Sequence, residues 1–181
     1  YIVNGKTVFN APFYGNPEYV NELKYSTGDE GEMVVGLVFA HVYINYIVNE
    51  RFLTSGIGKT PYDWTLNEER ISDTGVYELY SQRVDKTSYK LKTSSVLERP
   101  VLTKKFTSDA DELVADFYVL IPEKYDGIAV NFKCATQDTL TIGVNGEDFV
   151  INGDTVIYKD FEKNLWYRFK LEINQKNNTV D

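Results

Sequence analysis

One alternating stretch near the end of the sequence constrains the fold more than any other feature. Apolar and charged side chains alternate there in the order Tyr167, Arg168, Phe169, Lys170, Leu171, Glu172, Ile173. Because successive side chains of a strand point to opposite faces of a sheet, this pattern predicts a strand over residues 165–173 with one buried face. The polar residues 174–178 predict a turn. Val180 then begins a returning strand, whose continuation we expect elsewhere in the sequence.

The rest of the chain shares this strand-forming chemistry. Fourteen Tyr and ten Phe stand against one Met, which favours strands over helices. Further strands are predicted at residues 1–3, 6–9, 19–26, 33–48 (one extended strand or two with a bend), 76–81, 89–92, 101–106, 113–121, 127–134, 139–144, 148–151 and 155–158. The best helix candidate is the short segment 110–114. We therefore predict an all-β fold, an antiparallel β-sandwich.

Composition and motifs argue against several classes of function. The net charge of −8 and the pI near 4.8 disfavour nucleic-acid binding, which needs clustered Lys and Arg. The longest apolar run, residues 33–38, is far shorter than the roughly 18 residues of a membrane-spanning helix, so we expect no membrane insertion. His41 and Cys134 are the only residues of their types, and neither has a partner motif for nucleophilic catalysis. We predict that the protein is not an enzyme.

Three segments resemble the concanavalin A-like lectin/glucanase sandwiches, especially the laminin-G-like modules of bacterial surface proteins and polysaccharide-degrading enzymes. The first is the aromatic strand 166–173 with its turn and Val180-Asp181, whose expected continuation occurs at Tyr1-Ile2-Val3-Asn4-Gly5-Lys6. The second is the long strand 113–122. The third, residues 50–64, is similar to the "Glu-x-Phe … Gly-x-x-Pro-x-x-Trp" opening of such modules. The resemblance implies a jelly roll in circularly permuted order.

This permuted order leaves three arrangements open. In the first, residues 1–181 close on themselves as one permuted sandwich. In the second, residues 1–48 are the C-terminal half of one unit, 49–73 an irregular linker and 74–181 the N-terminal half of the next unit, so that neighbouring copies complete each other by strand addition. In the third, the sequence is a fragment or one repeat of a longer tandem array. The residues expected at the junction between units are Tyr1, Ile2, Val3, Phe52, Trp64, Val180 and Asp181.

The resemblance also implies two kinds of binding site. Related modules bind calcium through a Glu near the start of the module and an Asp in the last strand. Glu50 matches the Glu, whereas residues 37–42 lack the Asp. Trp166, on the same predicted face as Arg168, is the candidate for carbohydrate binding, which needs an exposed aromatic face beside polar groups.

Three functions follow as expectations, of which a lyase or glycosidase domain is the least favoured because the sequence lacks an acid/base pair of carboxylates at the required spacing. The first is a non-catalytic structural or adhesive repeat, extracellular or at the cell surface, whose partners are copies of itself in a head-to-tail assembly or filament. The alternative is a carbohydrate-binding module of a polysaccharide-degrading enzyme.

Overall fold

The described residues of the chain form strands and loops without a helix. The structure is a computed structural model that describes residues 2–3, 6–7, 11–12, 22–26, 32–42, 45–50, 52, 56–67, 75–78, 87–92, 100–125, 127–134, 137–177 and 179–180. The strands are β1 (Ile2–Val3), β2 (Lys6–Thr7), β3 (Ala11–Pro12), β4 (Glu22–Ser26), β5 (Glu32–Val42), β6 (Asn45–Glu50), β7 (Thr65–Leu66), β8 (Gly75–Glu78), β9 (Thr87–Lys92), β10 (Val101–Lys105), β11 (Glu112–Leu120), β12 (Ala129–Cys134), β13 (Gln137–Asn145), β14 (Asp148–Ile151), β15 (Thr155–Tyr158), β16 (Trp166–Asn174) and β17 (Thr179–Val180). The prediction of an all-β fold is confirmed.

These strands form two antiparallel sheets. The ten-stranded sheet has the order β2-β1-β16-β11-β5-β9-β8, with β17, β3 and β6 beside this path. The seven-stranded sheet has the order β15-β14-β13-β12-β4-β10-β7. In the seven-stranded sheet β4 lies between β10 and β12, and in the ten-stranded sheet β5 lies between β9 and β11. Strands from the first fifty residues are therefore interleaved with later strands in both sheets.

The two sheets pack face to face through aromatic rings. Phe117 of β11 contacts Tyr25 of β4 and Phe132 of β12, with ring centroids 5.9 and 6.2 Å apart. Phe149 of β14 meets Phe169 of β16 edge to face at 5.1 Å. All five rings are buried. Burying a side chain of this size stabilises a fold by about 1.5–3 kcal/mol relative to its exposure, so this layer is the centre of the core.

The predicted strands each overlap an observed one and differ from it mainly at their ends, but two short strands were not predicted: β3, and β7 within the segment 49–73 that was expected to be an irregular linker. The segments 148–151 and 155–158 match β14 and β15. Residues 33–48 form two strands, β5 and β6, which resolves the choice between one strand and two. The short helix candidate 110–114 is wrong, because β11 begins at Glu112 and pairs with both β16 and β5.

Candidate functional site

Two separate pieces of chain fill one edge of β16. The other edge pairs with β11 over the full length of β16, from Trp166 to Asn174. On the first edge, β17 pairs with Val180 opposite Ile173, and β1 pairs with Ile2 opposite Lys170. We call this edge the β16 lane. It brings together strands from opposite ends of the sequence.

The two pieces follow one register along the lane. Between the partner of Val180 and the partner of Ile2, β16 has two residues, Leu171 and Glu172. The sequence likewise has two residues after Val180 and before Ile2, namely Asp181 and Tyr1, neither of which the structure describes. The register is therefore the one that a single uninterrupted strand would adopt. Val180 is fully buried, so the lane also closes part of the core.

A further row of strands in the same sheet pairs with β1 and β17. β2 pairs with β1, with Val3 opposite Lys6, as predicted for a hairpin with a two-residue loop. β3 pairs with β17, with Val180 opposite Ala11. β1 and β2 thus form a hairpin beside one part of the lane, and β3 pairs with β17 beside the other part; we call these three strands together the N-terminal hairpin.

Glu50 is a hydrogen-bond clasp at the point where the chain leaves the ten-stranded sheet. Its Oε1 accepts a hydrogen bond from the backbone N–H of Phe52 at 2.6 Å, and its Oε2 accepts one from the indole Nε1–H of Trp64 at 3.1 Å. Phe52 has φ 56°, a left-handed conformation that costs a non-glycine residue about 1–2 kcal/mol. The two hydrogen bonds of the clasp offset this cost. They also hold both ends of the segment that crosses to the seven-stranded sheet, where β7 begins at Thr65.

Phe52 and Trp64 lie inside this chain's own core. Phe52 is fully buried, Trp64 is 7% exposed, and their rings pack on each other and on Tyr25 and Tyr89. Among the described residues, no three His, Cys, Asp or Glu side chains converge, around Glu50 or elsewhere. The calcium site and the inter-unit role of these two aromatic residues stay predictions.

The loop between Phe52 and Trp64 displays two large apolar side chains. It contains two turns of the same build: Lys59 N–H bonds to the carbonyl of Gly56 at 3.0 Å, and Trp64 N–H to that of Pro61 at 3.2 Å. The third residue of each turn, Gly58 or Asp63, has positive φ, the sign pattern of a type II turn. The second residues are Ile57, 59% exposed, and Tyr62, 82% exposed.

This loop is fastened at its middle and its end. Thr60, between the two turns, shares a hydrogen bond of 3.3 Å with the hydroxyl of Tyr89. Pro61 and Trp64 are buried. The tips Ile57 and Tyr62 are therefore presented from an anchored frame; we call residues 56–64 the paired-turn loop.

The predicted carbohydrate residues lie on the outer face of the ten-stranded sheet. Arg168 donates to both carboxylate oxygens of Asp116, from Nε at 2.8 Å and from Nη2 at 2.5 Å. Its guanidinium carbon lies 5.8 Å from the centroid of the Tyr118 ring. The hydrogen bonds to Asp116 raise the pKa of the Arg168 guanidinium above its ordinary value. Trp166 is half-buried and lies opposite Leu120, at the end of the same two strands.

Sequence reasoning missed several residues of these sites. Asp116 was not among the predicted site residues, yet it is 9% exposed in the middle of β11 and accepts a hydrogen bond from Arg168. The alternation of residues 113–120, which puts Asp116 and Tyr118 on one face, was a usable signal. For Ile57 and Tyr62, the signal was the position of a large apolar residue inside each of two turn sequences.

No family model, curated protein or solved structure matches the chain. The described part of the chain also contains no helix long and apolar enough to cross a membrane.

Proposed function

We propose that this protein is a non-catalytic structural or adhesive module that assembles head to tail by strand complementation along the β16 lane. The observation that carries the proposal is the common register of β17 and β1 on β16. Its setting is extracellular or at the cell surface, as in the modules that the motifs at 50–64 and 113–122 resemble. The topology that suits this assembly is their jelly roll in permuted order.

The pairing that fills the lane can form within a chain or between chains. β1 is held on β16 by backbone pairing, which the β16 strand of any copy offers equally. Pro12 and Glu22 are ten residues apart in the sequence, so the chain between them spans up to about 33 Å when extended. The N-terminal hairpin can therefore reach the lane of a neighbour. Occupation by either route removes an open edge that would otherwise promote aggregation.

A disulfide across the lane tests the proposal. Ile2→Cys with Lys170→Cys places two cysteines at directly opposite positions, and Cys134→Ala removes the native thiol. Opposite Cα atoms in antiparallel strands are about 4.5–5.5 Å apart, which suits a disulfide. Glu112→Cys with Asn174→Cys is the matched control, because it joins β11 and β16 within one body.

Non-reducing electrophoresis reads the result. Strand complementation predicts a ladder of covalent oligomers for the Ile2/Lys170 variant, and monomers alone for the Glu112/Asn174 control. If the Ile2/Lys170 variant yields only internally linked monomers, over a range of protein concentrations, the lane is filled in cis and the head-to-tail proposal is wrong.

Polysaccharide binding is a second candidate, favoured by the cluster of Tyr118, Arg168 and Asp116 beside Trp166. An aromatic ring next to a guanidinium and a carboxylate offers both a stacking surface and hydrogen bonds to sugar hydroxyls. Pull-down with insoluble polysaccharides tests it. Trp166→Ala and Tyr118→Ala should each abolish retention, whereas Tyr62→Ala, an exposed aromatic residue outside this face, should not. Equal retention of all variants, or none by the unaltered protein, would exclude this site.

A further inference from the structure

Four large hydrophobic side chains are exposed in the part of the chain that the structure describes. They are Ile57 (59%), Tyr62 (82%), Val156 (41%) and Leu165 (47%). They form two pairs. Ile57 and Tyr62 are the tips of the paired-turn loop, while Val156 lies in β15 and Leu165 in the connection from β15 to β16. A monomer gains no stability from either pair.

The two pairs lie at opposite lateral ends of the sandwich. The paired-turn loop leads directly into β7, a terminal strand of the seven-stranded sheet, and its Thr60 shares a hydrogen bond with the hydroxyl of Tyr89 in β9. β15 is the other terminal strand of the same sheet, and its Tyr158 ring lies 5.8 Å from Tyr167 of β16. We call these two ends the turn edge and the β15 edge.

The edges also differ in the sign of their charge. Among the residues that the structure describes, the turn edge carries Lys59, Lys104 and Lys105 against the acid Asp63, which lies 4.0 Å from Lys104. The β15 edge, over residues 147–163, is acidic and carries two lysines, Lys159 and Lys163, against five carboxylates, those of Glu147, Asp148, Asp154, Asp160 and Glu162. Opposite charges thus surround the two apolar pairs, on a chain whose net charge of −8 otherwise opposes self-association.

We propose that the turn edge of one copy docks on the β15 edge of the next copy, with Ile57 and Tyr62 packing against Val156 and Leu165. The contact is heterologous, because the two surfaces differ and lie on opposite sides of the molecule. Repetition of such a contact generates a ring or an open filament. The inference deepens the proposed function and rests on it for its biological role, since it supplies a second, side-chain contact for the same head-to-tail assembly.

The size of the two patches sets the strength of this contact. A stable interface buries more than about 1,000 Å² in total, and two pairs of partly exposed side chains supply only part of that area. A single contact is therefore weak and reversible. Along an array joined through the β16 lane it acts at high effective concentration, where weak contacts become effective.

Two variants that each destroy one edge test the inference. Tyr62→Asp places a charge in the apolar pair of the turn edge, and Val156→Asp places one in the apolar pair of the β15 edge. Both positions are exposed. Sedimentation velocity should show concentration-dependent association of the unaltered protein, weakened about tenfold or more in either variant alone. An equimolar mixture of the two variants should form a 1:1 dimer and nothing larger, because only one competent pair of edges remains. Ile57→Asp should behave like Tyr62→Asp.

Lys176→Gln, at an exposed turn, lowers the net charge by one as each Asp variant does and should leave association unchanged. Unaltered protein that stays monomeric at the highest soluble concentration, or variants that associate as well as it does, would overturn the inference. The measurement is repeated on Ile2→Cys/Lys170→Cys protein isolated as internally linked monomer. Its N-terminal hairpin is fixed in cis, so edge docking is measured there whether or not the strand-complementation proposal holds.

Discussion

Replacing Tyr25 by Phe should stabilise this protein even though it removes a polar group from the core. The Tyr25 side chain is fully buried, and its hydroxyl has no hydrogen-bond partner among the residues that the structure describes. Its ring packs against Trp64 and Phe117, with centroids 6.2 and 5.9 Å away. Tyr25→Phe keeps those ring contacts and deletes only the unpaired hydroxyl.

The magnitude follows from the cost of burying an unpaired polar group. Such a group loses its hydrogen bonds to water and costs about 1–3 kcal/mol when it gains no partner. Part of this gain is offset by the small void that the missing oxygen leaves in a close-packed core. We therefore expect Tyr25→Phe to raise the free energy of unfolding by about 0.5–1 kcal/mol.

Two other buried tyrosines serve as matched controls. The hydroxyl of Tyr167 accepts a hydrogen bond from Glu162 N–H at 2.7 Å and donates one to the Glu162 carbonyl at 3.0 Å. The hydroxyl of Tyr89 has one partner, Thr60. At about 1 kcal/mol for each net hydrogen bond, Tyr89→Phe should cost roughly 1 kcal/mol and Tyr167→Phe roughly 2 kcal/mol.

Urea unfolding of the three variants measures this ranking. Tyr25→Phe and Tyr167→Phe should differ by about 2–3 kcal/mol, or roughly 4–12 °C in melting temperature for a chain of this length. The dependence on urea concentration should be unchanged, since the same surface is exposed on unfolding. A Tyr25→Phe variant as destabilised as Tyr167→Phe would refute the reasoning, because it would mean that the Tyr25 hydroxyl has a partner in solution.

Two further predictions concern titration and the Glu50 clasp. Burial raises the pKa of Tyr25 and Tyr89 above the usual 10.0, so the folded state keeps these protons where the unfolded chain has lost them. These two tyrosines should therefore not lower the free energy of unfolding below pH 10, but should make it fall as the pH rises above 10. The fall should be less steep in Tyr25→Phe than in the unaltered protein, and an equally steep fall would contradict this prediction. Glu50→Gln replaces one of two acceptors by a donor, so urea unfolding should show a loss of about 1–3 kcal/mol. The exposed control Glu123→Gln should change stability by less than about 0.5 kcal/mol, and an equal effect of both would disprove the clasp.

The strands could be read from the sequence because their signal is local. Residues 165–173 alternate strictly between apolar and polar, and β16 occupies Trp166–Asn174 with the same alternation of buried and exposed side chains. Residues 33–48 were harder, because consecutive apolar residues in this sequence leave no alternation to mark the end of a strand, as is common for a strand paired along both edges like β5.

The sites depended on pairings that are distant in the sequence. Asp116 and Arg168 are 52 residues apart, and only the register of β11 on β16 brings them together. The ring contacts of Phe52 and Trp64 with each other, and with Tyr89 and Tyr25, likewise join segments that are distant in the sequence. The tips of the paired-turn loop show the reverse problem: Tyr62 has the chemistry of a core residue, and only its place in a turn exposes it.

The way β5 is paired has a consequence for how related sequences can vary in length. One edge of β5 pairs with β11. The other edge pairs with two strands, β6 and β9, and the chain leaves this edge after Glu50 and returns to it at Thr87. The register of each piece is set on β5 itself, and not by the chain that connects them. Residues 56–58 lie in the loop whose ends the Glu50–Trp64 hydrogen bond joins. Insertions or deletions at these residues would therefore leave the pairing of the sheet unchanged. Differences in length among homologues should accumulate at this place, where the protein can acquire a new tip without rebuilding its scaffold.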